Sequence, residues 1–144
     1  MKRTIDTDID GIDVTRLQSY LSQTEVTFAL LFGSHARETA TPTSDVDIAL
    51  HFPDQLDARE RFQRRNRIDA DLQAYAEGFV DVSDIEQLPL NVVHSAVRDG
   101  ILLVGDETAV DDYREQIEQE YGATADERKR ERQEFIDRLA SGDV

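Results

Sequence analysis

The stretch from Gly33 to Asp47 constrains this chain most, because it joins a Gly-Ser pair to an Asp-x-Asp pair between two apolar runs. Residues 28–32 precede it and residues 48–50 follow it, as short buried strands would. A turn of small residues after a strand can offer backbone N–H groups to phosphate oxygens. Asp45 and Asp47 are two apart, so on a strand they point to one face, where two carboxylates can hold Mg²⁺. The layout predicts a metal-dependent site for nucleotide transfer.

The composition predicts one ordinary intracellular domain. The chain has 144 residues and no cysteine, which excludes disulfides and a thiolate metal site. No apolar stretch approaches the roughly 20 residues that a membrane span needs, and no signal peptide is recognisable. We therefore expect a cytoplasmic protein that does not bind membranes.

The charge balance is strongly acidic, with 31 Asp and Glu residues against 16 Lys and Arg residues. Only Lys2 and Lys129 are lysine. A surplus of carboxylates with little lysine is similar to the surfaces of salt-adapted proteins, in which high salt screens the self-repulsion, and it favours a haloarchaeal source. Because phosphate backbones need clustered cations, the surplus disfavours an extensive nucleic-acid interface.

Hydrophobic spacing and turn residues predict a four-strand sheet with flanking helices. The periodicity of 3.6 or 2 residues, together with capping and breaking residues, sets the bounds. Helices are predicted over 13–23, 57–76 and 89–99, and strands over 26–32, 45–52, 79–85 and 101–104.

Two further apolar stripes follow Gly105, one from Val110 to Tyr121 and one from Phe135 to Leu139. Their spacing predicts two C-terminal helices. The chain is therefore divided into a first part, residues 1–105, and a helical extension, residues 106–144. The extension either packs on the first part or docks a partner, and the sequence leaves both open.

Nucleotidyl transfer places negative charge on the attacking, bridging and leaving oxygens, and divalent ions neutralise that charge. Asp81 shares one face of its predicted strand with Ser83 and supplies a third carboxylate beside Asp45 and Asp47. These three aspartates are the candidate catalytic and metal-binding residues, with two Mg²⁺ ions expected. The Gly33–Ser34 turn would hold the β- and γ-phosphates, and Arg37 is a further candidate phosphate ligand by its charge and position.

A Gly-Ser pair, ten residues and then Asp-x-Asp resemble the signature of the DNA polymerase beta-type nucleotidyltransferase superfamily. Ala36 and Arg37 after the pair, Ser44 before the first aspartate, and the Val-Asp-Val-x-Asp strand at 80–84 are similar to its minimal nucleotidyltransferases. The resemblance covers about residues 17–104. It implies an α+β fold, with a mixed β-sheet and helices packed mainly on one side, plus the C-terminal helices outside it. It also implies Mg²⁺ and ATP dependence and a nucleotide site that includes Ser44.

The resemblance further implies a biological role. Minimal nucleotidyltransferases of this kind pair with HEPN-domain ribonucleases as antitoxin and toxin, and they transfer AMP from ATP to a tyrosine of the toxin. The alternative is a catalytically weak or inactive antitoxin that neutralises the toxin by binding it. Transfer to a small molecule ranks below both.

Several assignments remain open in the sequence. Asp84 competes with Asp81 for the place of the third carboxylate. Glu38 stands where the resembled family usually has glycine, which favours the binding antitoxin if the carboxylate enters the phosphate loop. His35 lies in the same loop and is interpreted as incidental, whereas His51 and His94 are interpreted as structural.

Overall fold

A computed structural model describes residues 2–3, 9–37 and 39–142. Glu38 lies outside the described residues, so the prediction that concerns it has no structural counterpart. The strands are β1 (Lys2–Arg3), β2 (Phe28–Phe32), β3 (Val46–His51), β4 (Val80–Asp84) and β5 (Ile101–Gly105). The helices are α1 (Val14–Ser22), α2 (Ala58–Leu72), α3 (Leu90–Asp99), α4 (Glu107–Ala123) and α5 (Ala125–Ser141).

The strands form one mixed sheet in the order β1-β5-β2-β3-β4. Strand β2 pairs antiparallel with both β3 and β5, whereas β3 and β4 are parallel. The four predicted strands and the mixed sheet are confirmed. The prediction missed β1, whose two residues pair with β5 at one edge and are too short to give a periodic signal.

Apolar side chains cover the sheet on both faces. One buried cluster joins α1 and α2 to the sheet, and the other joins α3 and α4 to the opposite face. The arrangement thus differs in one respect from the expectation of helices mainly on one side. The cause is visible in β2, whose run of five apolar residues presents Ala29 and Leu31 to the first cluster and Phe28 and Leu30 to the second.

The predicted helix starts are confirmed at two caps. The carboxylate of Asp13 accepts a hydrogen bond from the Arg16 amide, 3.2 Å away, and begins α1. Asp57 and Glu60 form a reciprocal capping box at the start of α2. The predicted helix to residue 76 instead ends at Leu72 and continues as a short 3₁₀ turn.

The two C-terminal helices differ in their packing. Val110 and Ile117 of α4 are buried in the second cluster, so α4 is part of the same compact unit as the sheet. Helix α5 has no buried residue. It is held near its start by the Arg128 guanidinium, which lies 3.8 Å above the Tyr121 ring, and that ring stacks on His94 at 3.7 Å. Within the described ranges, no helix has the length and apolar character to cross a membrane.

Candidate active site

Two of the predicted aspartates are neighbours in the sheet. Phe32, Asp47 and Asp81 are in-register partners and form one row across β2, β3 and β4. Because Val46, Ile48, Val80 and Val82 point into the first apolar cluster, strand alternation directs Asp47 and Asp81 to the opposite face. Asp81 is exposed and Asp47 half-buried, so this part of the face is open to solvent.

Asp45, the residue just before β3, is the third of the predicted aspartates. It is exposed and, two residues from Asp47, it lies on the same side of the strand. Burial raises the pKa of Asp47, and the carboxylates of Asp81 and Asp45 raise it further, whereas His35 and Arg37 act in the opposite direction. Asp81 and Asp45 therefore lie near enough to Asp47 for their charges to act on it.

The Gly-Ser turn follows β2 and meets Asp47 directly. Gly33 has a φ of 75°, in the left-handed region that favours glycine. A β-carbon at this position would collide with the Asp47 carboxylate. The turn is closed by the Arg37 amide, which donates to the Gly33 carbonyl at 3.2 Å. Glycine thus suits the backbone conformation and leaves the Asp47 carboxylate in its present position.

His35 fixes the loop between the turn and the aspartates. Its side chain is buried, and its Nε2 lies 3.2 Å from the Ser44 carbonyl oxygen. The Ser44 hydroxyl accepts a hydrogen bond from the Thr41 amide at 2.9 Å. The interpretation of His35 as incidental missed this contact. No local pattern marks a loop side chain that contacts the backbone nine residues further along the chain. Ser44, predicted to bind nucleotide, has its hydroxyl engaged in the loop.

Asp84 occupies a different place from Asp81. Its carboxylate is buried, pairs with the Arg61 guanidinium at 3.0 Å, and accepts the Glu86 amide at 3.0 Å. It therefore faces α2, while Asp81 faces the open side with Asp47. On this geometry, Asp81 is the better candidate than Asp84 for the third carboxylate.

The donor set suits a hard divalent cation. Carboxylate oxygens are the ligands that Mg²⁺ prefers, and the repulsion from Asp81 and Asp45, which adds to burial in raising the pKa of Asp47, is the kind that a bound cation relieves. Within residues 9–37 and 39–142, no three acidic or histidine side chains converge closely enough to form a ready ligand cluster. Asp45, Asp47 and Asp81 are thus grouped on one face but not closed around a point.

A cleft beside Asp81 was not predicted. It has a volume of about 340 Å³ and runs between α2 and the outer edge of β4. Its helical wall is the stripe formed by Ala58, Arg61, Phe62 and Arg65, and its other lining residues include Leu88 and the two carboxylates Asp81 and Asp84. The signal in the sequence was the spacing of this stripe, which places its four members on one side of α2.

Side chains cap the backbone groups at the outer edge of β4. The Gln73 amide group donates to the Val80 carbonyl at 2.7 Å and accepts from the Val80 amide at 2.9 Å. Arg65 donates to the Val82 carbonyl at 2.7 Å. These contacts occupy groups that an incoming strand would need, so the edge is protected against strand addition.

Comparison with known proteins places the chain by family and fold. A family model described as polymerase beta, nucleotidyltransferase matches residues 15–109, which include all the predicted site residues. No curated protein sequence matches significantly.

Solved structures match over most of the chain. A toxin–antitoxin crystal structure with AMP-PNP matches with a TM-score of 0.61 and 22% identity, covering 89% of this chain and 97% of the other. The toxin–antitoxin MntA-HepT matches with a TM-score of 0.55 and 21% identity over 88% of this chain and 93% of the other. A structure of the tri-AMPylated Shewanella oneidensis HEPN toxin in complex with MNT antitoxin contains a chain that matches with a TM-score of 0.58 and 20% identity. The match covers 88% of this chain and 98% of the other. At these identities the matches establish the fold.

Proposed function

The chain belongs to the polymerase beta nucleotidyltransferase family, and on that premise we propose that it is an antitoxin that transfers AMP from ATP to a tyrosine of a cognate HEPN ribonuclease. The observation that carries the proposal is the in-register pair Asp47 and Asp81, with Asp45 on the same face and the Gly33 turn against Asp47. The fold shared with structures of toxin–antitoxin complexes supports the choice of partner.

The proposed reaction is a displacement at the α-phosphorus of ATP. The acceptor oxygen forms a bond to that phosphorus, the bond to the bridging oxygen breaks, and pyrophosphate leaves. The acceptor proton passes to a base, and the exposed Asp81 carboxylate is placed at the edge from which an acceptor can approach. Pyrophosphate carries away the charge that develops on the leaving oxygen.

The nucleotide is proposed to lie across the turn and the aspartates. Backbone amides of the Gly33–Ser34 turn point to the β- and γ-phosphates, and Arg37 adds a guanidinium that can contact phosphate oxygens. Ser44 acts through the loop that its hydroxyl organises. Asp45, Asp47 and Asp81 would hold Mg²⁺, which neutralises charge on the phosphates and lowers the pKa of the attacking hydroxyl.

Transfer of a labelled α-phosphate tests this proposal. The chain is incubated with its cognate HEPN protein, ATP labelled at the α-phosphate and Mg²⁺. The proposal includes a salt-adapted cytoplasmic source, which the acidic composition supports, so the reaction is run in molar KCl. Label is expected on a tyrosine of the HEPN protein and absent when Asp45 and Asp47 are both replaced by alanine. Label on RNA or a small molecule, with none on the protein, would contradict it.

Stoichiometric binding without catalysis is the second candidate. Helix α5 has no buried residue and leaves Phe135, Ile136 and Leu139 about half exposed, at 52%, 48% and 50%. An exposed apolar stripe of this kind favours a contact with another protein. This candidate predicts that the folded double alanine variant of Asp45 and Asp47 still neutralises the toxin in cells. Loss of protection by a soluble, folded variant would count against it.

A further inference from the structure

The strand order indicates where the leaving pyrophosphate and the incoming acceptor would lie in the proposed reaction. The Gly33 turn follows β2, Asp47 lies on β3, and Asp81 lies on β4, each one strand apart at about 5 Å. An in-line displacement needs the attacking and leaving oxygens on opposite sides of the phosphorus. If pyrophosphate leaves toward the turn, the acceptor must arrive from the β4 side. The cleft between α2 and β4 opens on that side.

Exposed aromatic side chains flank Asp81 on this side. Phe62 lines the cleft and is 61% exposed. Phe79, which is 58% exposed, precedes Asp81 by two residues and shares its side of the strand. In the described part of the chain, the other large exposed apolar side chains lie on α5. Exposed phenylalanines beside a polar site are typical anchors for a protein partner.

Helix α2 is also basic, in contrast to the rest of the chain. Residues 58–72 carry five arginines against one glutamate and two aspartates, whereas the whole chain has a net charge of −15. The two arginines in the cleft wall are held in place, Arg61 by Asp84 at 3.0 Å and Arg65 by the Val82 carbonyl at 2.7 Å. Fixed guanidinium groups bind carboxylates with little loss of side-chain entropy. Such contact pairs persist where salt screens longer-range attraction.

We propose that the cleft between α2 and β4 docks an acidic segment of the acceptor protein, with Phe62 as its apolar anchor and Arg61 and Arg65 facing its carboxylates. The proposal rests on the proposed transferase function, because it assigns the acceptor side of that same site. The segment docks through side chains rather than as an added strand, since Gln73 and Arg65 already cap the edge of β4. Its acceptor hydroxyl then lies beside Asp81.

Steady-state transfer to the HEPN protein is the first test. Phe62→Ala and Arg65→Gln are expected to raise the KM for the protein acceptor by about tenfold, with affinity for Mg-ATP unchanged within about twofold. Gln63→Ala and Arg67→Gln are matched controls, because they lie on α2 but do not line the cleft. An unchanged acceptor KM in both cleft variants would overturn the proposal.

Photo-crosslinking separates this inference from the proposed function. A benzophenone side chain is placed at position 62 or, as a control, at the exposed position 70 on α2. Crosslinking to the HEPN protein from position 62 but not from position 70 is expected. A protein that crosslinks from position 62 but transfers no AMP would contradict the transferase function and retain the docking surface. Crosslinking from position 70 alone would contradict the docking surface, whatever the transfer assay gives.

Discussion

Asp47 and Asp81 are in-register partners on the parallel strands β3 and β4, and both point away from the α1 and α2 face of the sheet, at a place where the other face is open to solvent. Parallel partners lie about 5 Å apart, so their carboxylates are held close by backbone pairing alone. That proximity contributes to the raised pKa of Asp47. The fold thus places two like charges side by side, outside the apolar core. They repel each other unless a cation or a proton lies between them.

The roles of Asp81 and Asp84 are separable by paired substitutions. Asp81→Asn is expected to lower AMP transfer by about 10²-fold or more and to change the free energy of unfolding by less than about 0.5 kcal/mol, because the side chain is exposed. Asp84→Asn is expected to cost about 2–4 kcal/mol, because Arg61 loses its buried partner. Urea denaturation and transfer rates measure both. A stability loss in Asp81→Asn with retained transfer would reverse the assignment.

A side chain at position 33 is expected to strain the turn and to displace the Asp47 carboxylate. Gly33→Ala forces a β-carbon against the Asp47 carboxylate at a φ of 75°, which costs about 1–2 kcal/mol in backbone conformation before the collision is counted. Nucleotide affinity is expected to fall with stability. Gly122→Ala is the control, because a β-carbon there meets nothing within 4 Å, and alanine in α4 is expected to stabilise by up to about 0.5–1 kcal/mol. Equal effects of the two changes on nucleotide affinity would contradict the assigned contact.

The raised pKa of Asp47 predicts that replacing its carboxylate with a neutral side chain increases stability, by an amount that depends on pH. A carboxyl group with a folded-state pKa above its unfolded value of about 3.9 contributes stability that is lost as the pH rises through the folded-state pKa. In EDTA at pH 7, Asp47→Asn is therefore expected to be more stable than the wild type, with the difference shrinking toward pH 4. Asp137→Asn on α5 controls for net charge. Thermal unfolding across this pH range measures the difference, and a variant less stable than the wild type at pH 7 would contradict a pKa of Asp47 that burial and the neighbouring carboxylates raise.

Truncation distinguishes the two C-terminal helices. A chain ending at Thr124 is expected to fold and bind Mg-ATP, because α5 has no buried residue. A chain ending at Gly105 is expected to unfold, since it loses Val110 and Ile117 from the core, each contributing about 1.5–3 kcal/mol. Circular dichroism and nucleotide titration measure both. Unfolding of the longer chain would show that α5 is structurally required.

If α5 docks the partner, the chain ending at Thr124 should also lose complex formation while it keeps its nucleotide affinity. Size-exclusion chromatography with the HEPN protein measures this. An unchanged complex would leave the α2 cleft as the remaining docking surface and would remove the support for a binding role of Phe135, Ile136 and Leu139.

Local patterns were enough to predict strands β2 to β5 and the five helices, and to nominate the candidate site residues. Alternation on the strand at 79–85 separated Asp81 from Asp84 before any fold was known, and the sheet places them on opposite sides. The same alternation could not give the register that brings Asp47 beside Asp81, because strand pairing depends on contacts distant in sequence. The fold-back of His35 onto Ser44 and the caps that Gln73 and Arg65 place on β4 are likewise non-local.

The arrangement of helices shows how two predictions can conflict. The apolar run of β2 was interpreted as buried on both faces, which requires helices on both faces. The family resemblance suggested helices mainly on one side. The structure agrees with the prediction from the apolar run. Leu31 packs toward α1 and α2, and Leu30 packs toward α3 and α4.

The most direct test is the intact mass of the cognate HEPN protein after incubation with this chain, ATP and Mg²⁺, beside a control with Asp45→Ala and Asp47→Ala. The account predicts that the mass rises by one or more AMP units with the wild-type chain and does not rise with the control. An unchanged mass, in a sample where the two proteins form a stable complex, would contradict transfer and favour neutralisation by binding alone.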